Sequence, residues 1–477
     1  MLVVVALLLA QAPDVPPQMT APAASTSDAD LRAQLDEMKQ RVSALEDDLD
    51  EVLGELDRQA QAKERDRLHW SGDYRVVVNN FHQYDRSESA LPWAASSSTL
   101  YPNLWTHRLR LGMQYDVLDR VRFYGRIVFF KNFGETIEKP LFFDTVQTRF
   151  ARDSVLRLER AYIDWFITDW LVLTAGRIAA PEGPPAELKE NTVRSATWGV
   201  QVVEAEMDGV MLTTYLPPIP GLKQTYLRPF YLPFHAVTDV DPFDEDSAFK
   251  DIGIAPMQAF GLLAESGVAA MGYNLVQLGA VWVPEFKPRL LPILDTFPKP
   301  PFSPSLGWFI QLSILLEQKN LYDSGIDVFF AWNYSILGPN GQTLVYDFGD
   351  GFELPAGLAS FDDNSEHTAH MIYGGARYTV PLPGGAQPYA PRFGLELNHG
   401  TKYNTLFSSP SDTKINKLGV RGSVIDTYWI QPLVPDHLFA RVGVMHVIRD
   451  HEGSFVGPSL PTSTSTTGLQ VLLHASW

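Results

Sequence analysis

The sequence predicts an all-β transmembrane barrel of about 16 antiparallel strands, preceded by an α-helical coiled coil. Three observations point to this fold class. Apolar and polar residues alternate over stretches long enough to cross a bilayer, short turns alternate with long polar connections, and the chain ends on an alternating segment with a terminal tryptophan. A single large closed sheet also accounts for 477 residues, which are too many for one ordinary core.

The composition agrees with a membrane barrel and argues against several other classes of protein. Aromatic residues make up 12 % of the chain and charged residues 20 %, a profile that alternating lipid-facing and water-facing residues produce. The net charge of −18 argues against nucleic-acid binding, which needs a basic surface. Because the chain has no cysteine, it has no thiolate metal site, catalytic thiol or disulfide.

Residues 1–24 are expected to contain a signal peptide and the beginning of a linker. Leu2–Ala10 form a short apolar run, and Ala10-Gln11-Ala12 is typical of a signal-peptidase site. No Lys or Arg precedes the run, so either translation starts further upstream or cleavage falls near Ala24. Residues 13–27 are rich in Pro, Ala, Ser and Thr, which indicates a flexible linker.

Residues 28–66 are predicted to form a periplasmic coiled coil. Apolar residues recur at alternating intervals of four and three over about four heptads. The seam consists of Leu31, Leu35, Met38, Val42, Leu45, Leu49, Val52 and Leu56. A self-associating coil, trimeric if the barrel is porin-like, is the favoured interpretation. A lone amphipathic helix that lies on its own barrel is the alternative.

In residues 69–477 the period of the pattern changes to two, which is the period of a β-strand. The segments 105–117, 308–316 and 326–335 alternate between the two faces over their whole length. Strands of soluble sandwiches usually have five or six residues, whereas a tilted strand that crosses a bilayer needs about 9–11. Strand length therefore favours an outer-membrane β-barrel over a soluble sandwich.

The connections between the predicted strands are of two kinds. Short turns are predicted at residues 117–120, 168–169, 217–222, 267–271, 320–324, 383–387 and 434–436. Long polar connections are predicted near residues 86–104, 135–155, 181–200, 236–256, 286–305, 337–366, 400–415 and 451–466. Seven turns and eight loops join 16 strands, and they place both ends of the barrel sequence on the periplasmic side.

The end of the chain carries a candidate assembly signal. Leu473, Ala475 and Trp477 continue an apolar face that starts at Leu469. This pattern resembles the C-terminal strand signal that the barrel-assembly machinery reads, although phenylalanine is the usual last residue. The barrel-assembly machinery and outer-membrane lipid are therefore expected partners.

Charged residues at the polar positions of the predicted strands are candidates for lining a pore. They are Arg108, Arg110, Arg122, Arg126, Arg160, Asp164, Glu206 and Asp208. The arginines lie on adjacent strands, so we expect their side chains to form a ladder inside the barrel. Three interpretations remain open: the arginines pair with carboxylates and brace the wall, they set a transverse field that filters size and polarity, or they select anions.

Motifs that suggest catalysis or metal binding lack their usual context. Asp347-Phe348-Gly349 matches a kinase triplet without a glycine-rich loop, and the acidic residues 239–246 lack the spacing of an EF-hand. The sequence has no HExxH pair, and His446 and His474 are not ordered as in a hydrolase. We therefore expect neither an enzyme nor a cofactor or metal site.

Four short blocks carry a resemblance to a known family. They are Leu158–Trp165, Gly176-Arg177, Glu182–Leu188 and Asp208-Gly209. With them, residues 28–215 resemble a family of porin-like outer-membrane proteins of largely unassigned function, which have an N-terminal coiled coil and a barrel. More distantly, the chain is similar to phosphate-selective porins, whose barrels are 16-stranded and trimeric. The sequence lacks the lysine-rich constriction segment of those channels, so the resemblance implies a porin but not phosphate selectivity.

These observations together predict an outer-membrane porin of a Gram-negative bacterium, a passive diffusion channel for small hydrophilic solutes or ions. We expect a trimer, with a monomer as the alternative. A long external loop, 135–155 or 337–366, is expected to fold inward and narrow the lumen. One alternative is a structural anchor that tethers the outer membrane to the cell wall through the periplasmic coil. Another is a surface adhesin that acts through loops 236–256 and 286–305.

Overall fold

The computed structural model describes most of the barrel sequence and a short part of the preceding region. The described residues are 35–45, 49, 67–85, 97–132, 155–179, 182–204, 206–236, 255–287, 305–347, 353–359, 364–408, 417–452 and 459–477. The chain divides into two units, Met1–Asp66 and Arg67–Trp477. The predicted signal peptide and linker lie outside the described residues.

In the first unit, residues 35–45 form an α-helix. The seam residues within it, Leu35, Met38, Val42 and Leu45, are 49–66 % exposed, so nothing in the described chain covers the apolar stripe. An uncovered stripe is compatible with a coiled coil, which stays a prediction. Leu31, Val52 and Leu56 lie outside the described residues.

Among the described residues, no helix is both long enough and apolar enough to span a membrane.

The second unit forms a closed β-barrel of 16 antiparallel strands, in which the first strand pairs with the last. This confirms the predicted fold class. The strands are β1 Leu68–Asp85, β2 Ser97–Leu118, β3 Val121–Asn132, β4 Val155–Thr168, β5 Leu171–Ala179, β6 Glu206–Tyr215, β7 Tyr226–Ala236, β8 Ala255–Ser266, β9 Asn274–Val283, β10 Gly307–Gln318, β11 Ile326–Pro339, β12 His367–Thr379, β13 Arg392–Gly400, β14 Gly422–Val434, β15 Leu438–Glu452 and β16 Leu460–Ser476.

Short turns and long connections alternate around the barrel as the sequence predicts. The short connections lie at residues 119–120, 169–170, 216–225, 267–273, 319–325, 380–391 and 435–437. We call the end that carries them the turn end and the opposite end the loop end. The C-terminal residue closes the turn end, because the backbones of Trp477 and Gly72 exchange two hydrogen bonds of 3.0 Å.

The outer face of the barrel is apolar in the described strands. Large side chains such as Leu312, Leu395, Ile425 and Val442 are 43–47 % exposed, while the residues between them on the same strands point inward and are buried. A continuous apolar outer surface is suited to contact with hydrocarbon rather than with water.

Tryptophans mark the turn end of this outer face. Trp70, Trp165, Trp170 and Trp477 are all exposed and lie within a few residues of a turn or a chain end of the barrel. Tryptophan is enriched at the interface between hydrocarbon and head groups. The positions of these residues are therefore those of an interfacial aromatic belt.

The packed interior of the molecule lies inside the barrel and has two sides. The inner faces of β5–β11 contribute an apolar cluster that includes Met207, Phe230, Leu263 and Phe309. Buried arginines occupy the inner faces of β1, β2 and β15, at Arg75, Arg108, Arg110 and Arg441. A segment that fills the lumen must therefore pair with charged side chains on one side and pack against apolar side chains on the other.

Candidate functional site in the barrel lumen

A segment between β5 and β6 folds into the barrel. We call residues 182–203 the lumen segment. Its ends are adjacent, because Ala179 of β5 pairs with Glu206 of β6. Glu182, Leu188, Trp198 and Val202 within it are all buried. A connection with adjacent ends could have closed in a tight hairpin, but here it is long enough to enter the lumen.

Local sequence explains the compact shape of the first half of the lumen segment. The Pro184-Pro185 peptide bond is cis, and a helix of one turn, Ala186–Glu190, follows it. The helix ends at Asn191, which adopts the left-handed conformation (φ 52°) and donates its backbone N–H to the Glu187 carbonyl. Asparagine tolerates this conformation better than most residues, so it stops the helix after one turn.

Glu182 attaches the start of the lumen segment to the charged wall. Arg108 Nη1 donates to Glu182 Oε1 at 2.7 Å, and Arg110 Nη1 donates to Glu182 Oε2 at 2.6 Å. Glu182 itself has a φ of 60°, a conformation that costs a non-glycine residue roughly 1–2 kcal/mol. Two charge-assisted hydrogen bonds compensate this strain and hold the residue in place.

Glu190 and Lys189 attach the end of the short helix to neighbouring strands. Glu190 lies 2.5 Å from Arg75 of β1 and 2.9 Å from Arg441 of β15. The ammonium of Lys189 lies 2.5 Å from Asp426 of β14. Both polarities of charge are therefore matched where the helix meets the wall.

The second half of the lumen segment contacts the opposite wall. Arg194 donates to both carboxylate oxygens of Glu265 in β8, at 3.0 and 2.6 Å. Gln277 of β9 donates to the Thr197 carbonyl at 2.8 Å, and Gln311 of β10 donates to the Gln201 carbonyl at the same distance. The lumen segment thus runs from β1 and β2 to β8–β10 and crosses the lumen.

Apolar packing completes the contact with this second wall. Trp198 is fully buried and meets the ring of Phe230 edge-on, with centroids 4.2 Å apart. Val202 and Val203 belong to the same cluster. The lumen segment is therefore amphipathic along its length, with its charged half on the arginine wall and its apolar half on the wall of β5–β11.

Sequence reasoning did not single out this segment as the one that folds inward. Of the two loops expected to do so, residues 135–154 lie outside the described chain, and the described part of 337–366 includes Leu358 and Ala359, which are buried in the apolar cluster. Leu188, Trp198 and Val200 in the predicted external loop 181–200 were the available signal, because large apolar side chains are uncommon in a loop that is surrounded by water.

The structure places three of the predicted ladder arginines in one ion-pair network. Arg108 and Arg110 share Glu182, Arg110 also pairs with Glu159 at 2.6 Å, and Arg126 lies 2.5 Å from Glu159. Asp73 adds a contact of 3.1 Å to Arg108. The carboxylates of this network are not those considered from the sequence, and one of them belongs to the lumen segment.

A β-bulge explains why sequence alternation missed Glu159. The register of β3 and β4 shifts so that Arg126 pairs with Arg160 and Ile127 with Leu158, which leaves Glu159 as the extra residue. Glu159 and Arg160 consequently both point into the barrel. A strict alternation would have placed Glu159 on the lipid side. Because a carboxylate that faces lipid destabilises a barrel, its occurrence at this position indicates an irregular strand.

Arg122 and Asp164 also point inward but lie outside this network. Arg122 Nε donates to Asp116 at 2.5 Å, and the Thr174 hydroxyl donates to Asp164 at 2.6 Å. Arg160 lies on the same inner face as Asp164, and its Nε and Nη2 atoms have no hydrogen-bond partner in the described part of the chain. The five arginines therefore do not form one continuous ladder.

Asp208 differs from its predicted position. Its side chain is 63 % exposed and lies 4.0 Å from Arg177, and it shares a strand face with Val210 on the outside of the barrel. The inner face of β6 carries Met207 and Met211 instead, because it packs against the apolar half of the lumen segment. The rule that polar residues face the lumen fails where the lumen is filled. The Glu206 side chain lies outside the described part of the structure.

A large vestibule lies between the lumen segment and the turn end. Its volume is about 1020 Å³, and its lining includes Arg108, Glu182, Asn320, Asp436 and Trp477. Arginine and carboxylate side chains alternate with hydroxyl and backbone groups on its wall, so it is suited to hold water and polar solutes.

Electrostatics favour an ionised lumen segment. Burial raises the pKa of the Glu182 carboxyl, but the charges of Arg110 and Arg108 outweigh burial and hold the pKa well below its usual range. For Glu190, burial likewise acts upward, and Arg441 and Arg75 lower the pKa below its usual range. Both carboxylates are therefore charged throughout the neutral range.

These pKa directions predict how the channel responds to acid. A lowered pKa means that ionic docking of the lumen segment is complete above the ordinary carboxyl value of 4.5 and is lost as the pH falls through the lowered value. We expect single-channel conductance to stay constant from about pH 8 to about pH 5 and to rise only well below about pH 4. A conductance transition near neutral pH would contradict this account.

No candidate metal centre is found in the described ranges. No group of three or more His, Asp or Glu side chains within them is placed to hold a metal ion. His446 lies on the outward face of β15, where its Nδ1 and the Thr467 hydroxyl form a hydrogen bond of 2.8 Å. His474 is buried beside Arg75. The acidic residues 239–246 and Phe348-Gly349 lie outside the described residues.

The family comparison decides the affiliation of the chain. A family model described as "Protein of unknown function (DUF3373)" matches residues 99–229 and 303–465, which together are more than half of the 477 residues. The chain belongs to this family. The two matched stretches of this DUF3373 protein contain most of the barrel, including β2–β6 and the lumen segment between them. Comparison of the DUF3373 protein with curated proteins finds no match.

Three solved structures are similar to this DUF3373 protein over most of its length. The outer membrane channel DcaP of Acinetobacter baumannii is 12 % identical with a TM-score of 0.45, and the match covers 86 % of this chain and 97 % of that one. OprB of Pseudomonas putida is 11 % identical with a TM-score of 0.48, covering 88 % and 96 %. OmpT of Vibrio cholerae, an outer membrane protein solved as a trimer, is 9 % identical with a TM-score of 0.38, covering 86 % and 99 %. Identities this low carry no information about a solute.

Proposed function

We propose that this protein is a porin-like channel of the Gram-negative outer membrane, through which small hydrophilic solutes or ions pass by diffusion, and that the lumen segment narrows the passage. The observation that carries this proposal is the combination of an apolar outer wall with a charged inner wall and a vestibule of about 1020 Å³. A barrel that only anchored the chain would not need a polar vestibule of that size.

The ion pairs of the inner wall support bracing as the role of the buried arginines. Arg108 and Arg110 both pair with Glu182, and Arg75 pairs with Glu190, so these arginines hold the lumen segment in place. Breaking one partner of a buried pair typically costs about 3–5 kcal/mol, which makes such pairs effective anchors. The proposed channel therefore filters by size and polarity at this level.

Because the lumen segment crosses the lumen, the structure also favours a second candidate function. A barrel whose lumen is bridged from β1 and β2 to β8–β10 could serve as an outer-membrane anchor that tethers the membrane to the cell wall through residues 28–66. This alternative predicts a barrel that conducts neither ions nor solutes.

A solute-flux experiment separates the two candidates. Protein reconstituted into liposomes is expected to admit small sugars and amino acids at rates that fall steeply with solute size, because the lumen segment leaves only a narrow path. Liposomes that carry the same amount of folded barrel and swell no faster than protein-free liposomes would support the anchor.

The proposed trimer can be tested through the coiled-coil seam. Leu45 and Leu49 are 66 % and 58 % exposed, so aspartate at both positions should leave the barrel folded. If the coil drives assembly, Leu45→Asp with Leu49→Asp is expected to convert a detergent-stable oligomer into monomers in size-exclusion chromatography with light scattering. The matched control is Glu37→Gln with Lys39→Gln, which changes two exposed residues outside the seam. If the oligomer persists in the seam variant, the coil does not drive assembly.

A further inference from the structure

A second cavity lies beside the lumen segment. It has a volume of about 350 Å³ and is enclosed by the inner faces of β3–β7 and by residues 195–197 of the lumen segment. We call it the side cavity. Its lining includes Arg122, Arg160, Arg228, Tyr124, Tyr162 and Asp164. A volume of this size is at the lower end of the range for small-molecule sites.

Arg160 carries the unpartnered hydrogen-bond donors of the side cavity. Arg122 donates to Asp116, and Arg228 lies 3.2 Å from Glu265. In contrast, Nε and Nη2 of Arg160 are buried and have no hydrogen-bond partner among the described residues. Glu159, the carboxylate that acts most strongly on Arg160, already pairs with Arg110 and Arg126. The unpartnered buried donors of Arg160 therefore indicate an anion that the chain itself does not supply.

The surrounding charges fix the valence of that anion. Arg122 and Asp116 cancel each other. Arg194 and Arg228 share the single carboxylate of Glu265, which leaves one positive charge. Arg160 and Asp164, four residues apart on β4, bring one charge of each sign to the cavity wall. The sum is one positive charge, which a monoanion neutralises and a dianion exceeds.

The rest of the wall is suited to an organic body. Tyr124 and Tyr162 stack with centroids 4.8 Å apart, and Phe166, Val172 and Ile178 extend the apolar surface. Hydroxyl groups of the tyrosines and nearby threonines interrupt this surface. A flat ring with few polar substituents fits such a wall, whereas a fully hydrated inorganic ion leaves the aromatic faces without a partner.

We propose that the side cavity binds a small monocarboxylate with an aromatic body, with the Arg160 guanidinium as the counter-ion of its carboxylate. A planar guanidinium matches a carboxylate through two parallel hydrogen bonds. The proposal deepens the proposed channel function, because it names a class of solute that binds inside the lumen on its way through. This role in transport rests on the proposed channel function.

Calorimetry of the full chain in detergent micelles tests the site, with benzoate as the probe and neutral benzamide as its control. Benzoate is expected to bind the wild type at least about tenfold more tightly than benzamide does, and to bind Arg160→Gln at least about tenfold more weakly than the wild type. Arg120→Gln removes an exposed arginine at a turn and should leave benzoate binding unchanged. Arg160→Lys keeps the positive charge but lacks the planar guanidinium, so it should retain part of the affinity for benzoate. This variant replaces Arg160→Gln as the test if the glutamine variant does not fold.

Three outcomes would overturn the site: equal binding of benzoate and benzamide, benzoate binding unaffected in folded Arg160→Gln, or inorganic phosphate binding as tightly as benzoate through Arg160. The outcomes for the channel are separate. If the barrel binds benzoate but does not conduct, the proposed site is supported and the proposed channel function is wrong. If it conducts but does not bind benzoate, only the proposed site is wrong.

Discussion

Replacing residues 183–202 with a four-residue Gly-Ser linker is expected to raise the single-channel conductance several-fold. The replaced residues cross the lumen and include the short helix Ala186–Glu190 and the buried Trp198. The ends of the connection lie side by side where Ala179 pairs with Glu206, so a short linker closes β5 and β6 without distorting the barrel. Conductance of the purified variant in planar bilayers measures the effect.

A matched control removes a similar connection from the other end of the barrel. Residues 217–220, in an exposed turn at the turn end and outside the vestibule lining, can be shortened in the same way and should leave conductance unchanged. The heat-dependent mobility of each variant in SDS gels shows whether the barrel has folded. If the linker variant is folded but conducts like the wild type, the lumen segment does not limit the passage.

Neutralising both acidic anchors of the lumen segment is expected to make the channel prefer anions. Five arginines, Arg75, Arg108, Arg110, Arg126 and Arg441, face four carboxylates, Asp73, Glu159, Glu182 and Glu190. Glu182→Gln with Glu190→Gln leaves the same five arginines against two carboxylates. Each lost buried ion pair also weakens docking by about 3–5 kcal/mol, so the segment should loosen and conductance should rise.

The reversal potential under a salt gradient measures this change in preference. Asp169→Asn with Glu285→Gln is a suitable control, because it also removes two carboxylates but from exposed positions outside the lumen. An unchanged reversal potential in a folded double glutamine variant would show that these buried charges do not face the permeating ions.

The sequence predicts the barrel well because its signals are local. Alternation over single strands such as residues 308–316 and the placement of short turns depend only on neighbouring residues, and both agree with the observed strand β10 and the observed turn end. The burial pattern of β10, with every second residue buried, is the pattern that period-two alternation describes.

The interior of the barrel could not be predicted in the same way because it depends on contacts far apart in the chain. Glu182 meets Arg108 across 74 residues, and Lys189 meets Asp426 across 237. No local pattern reports such pairs. The outward position of Asp208 has the same origin, since it follows from the apolar half of the lumen segment covering β6. The β-bulge at Glu159 and the apolar residues of the lumen segment, such as Trp198, did have local signals.

The measurement that most directly tests the central claim is the single-channel conductance of the wild-type protein in a planar bilayer. A channel narrowed by residues 182–203 should open in stable, ohmic steps that are small for a barrel of 16 strands. Folded barrels that insert into the bilayer and stay silent would contradict the channel and leave the anchor as the function, and large steps typical of an unobstructed barrel would contradict the role of the lumen segment.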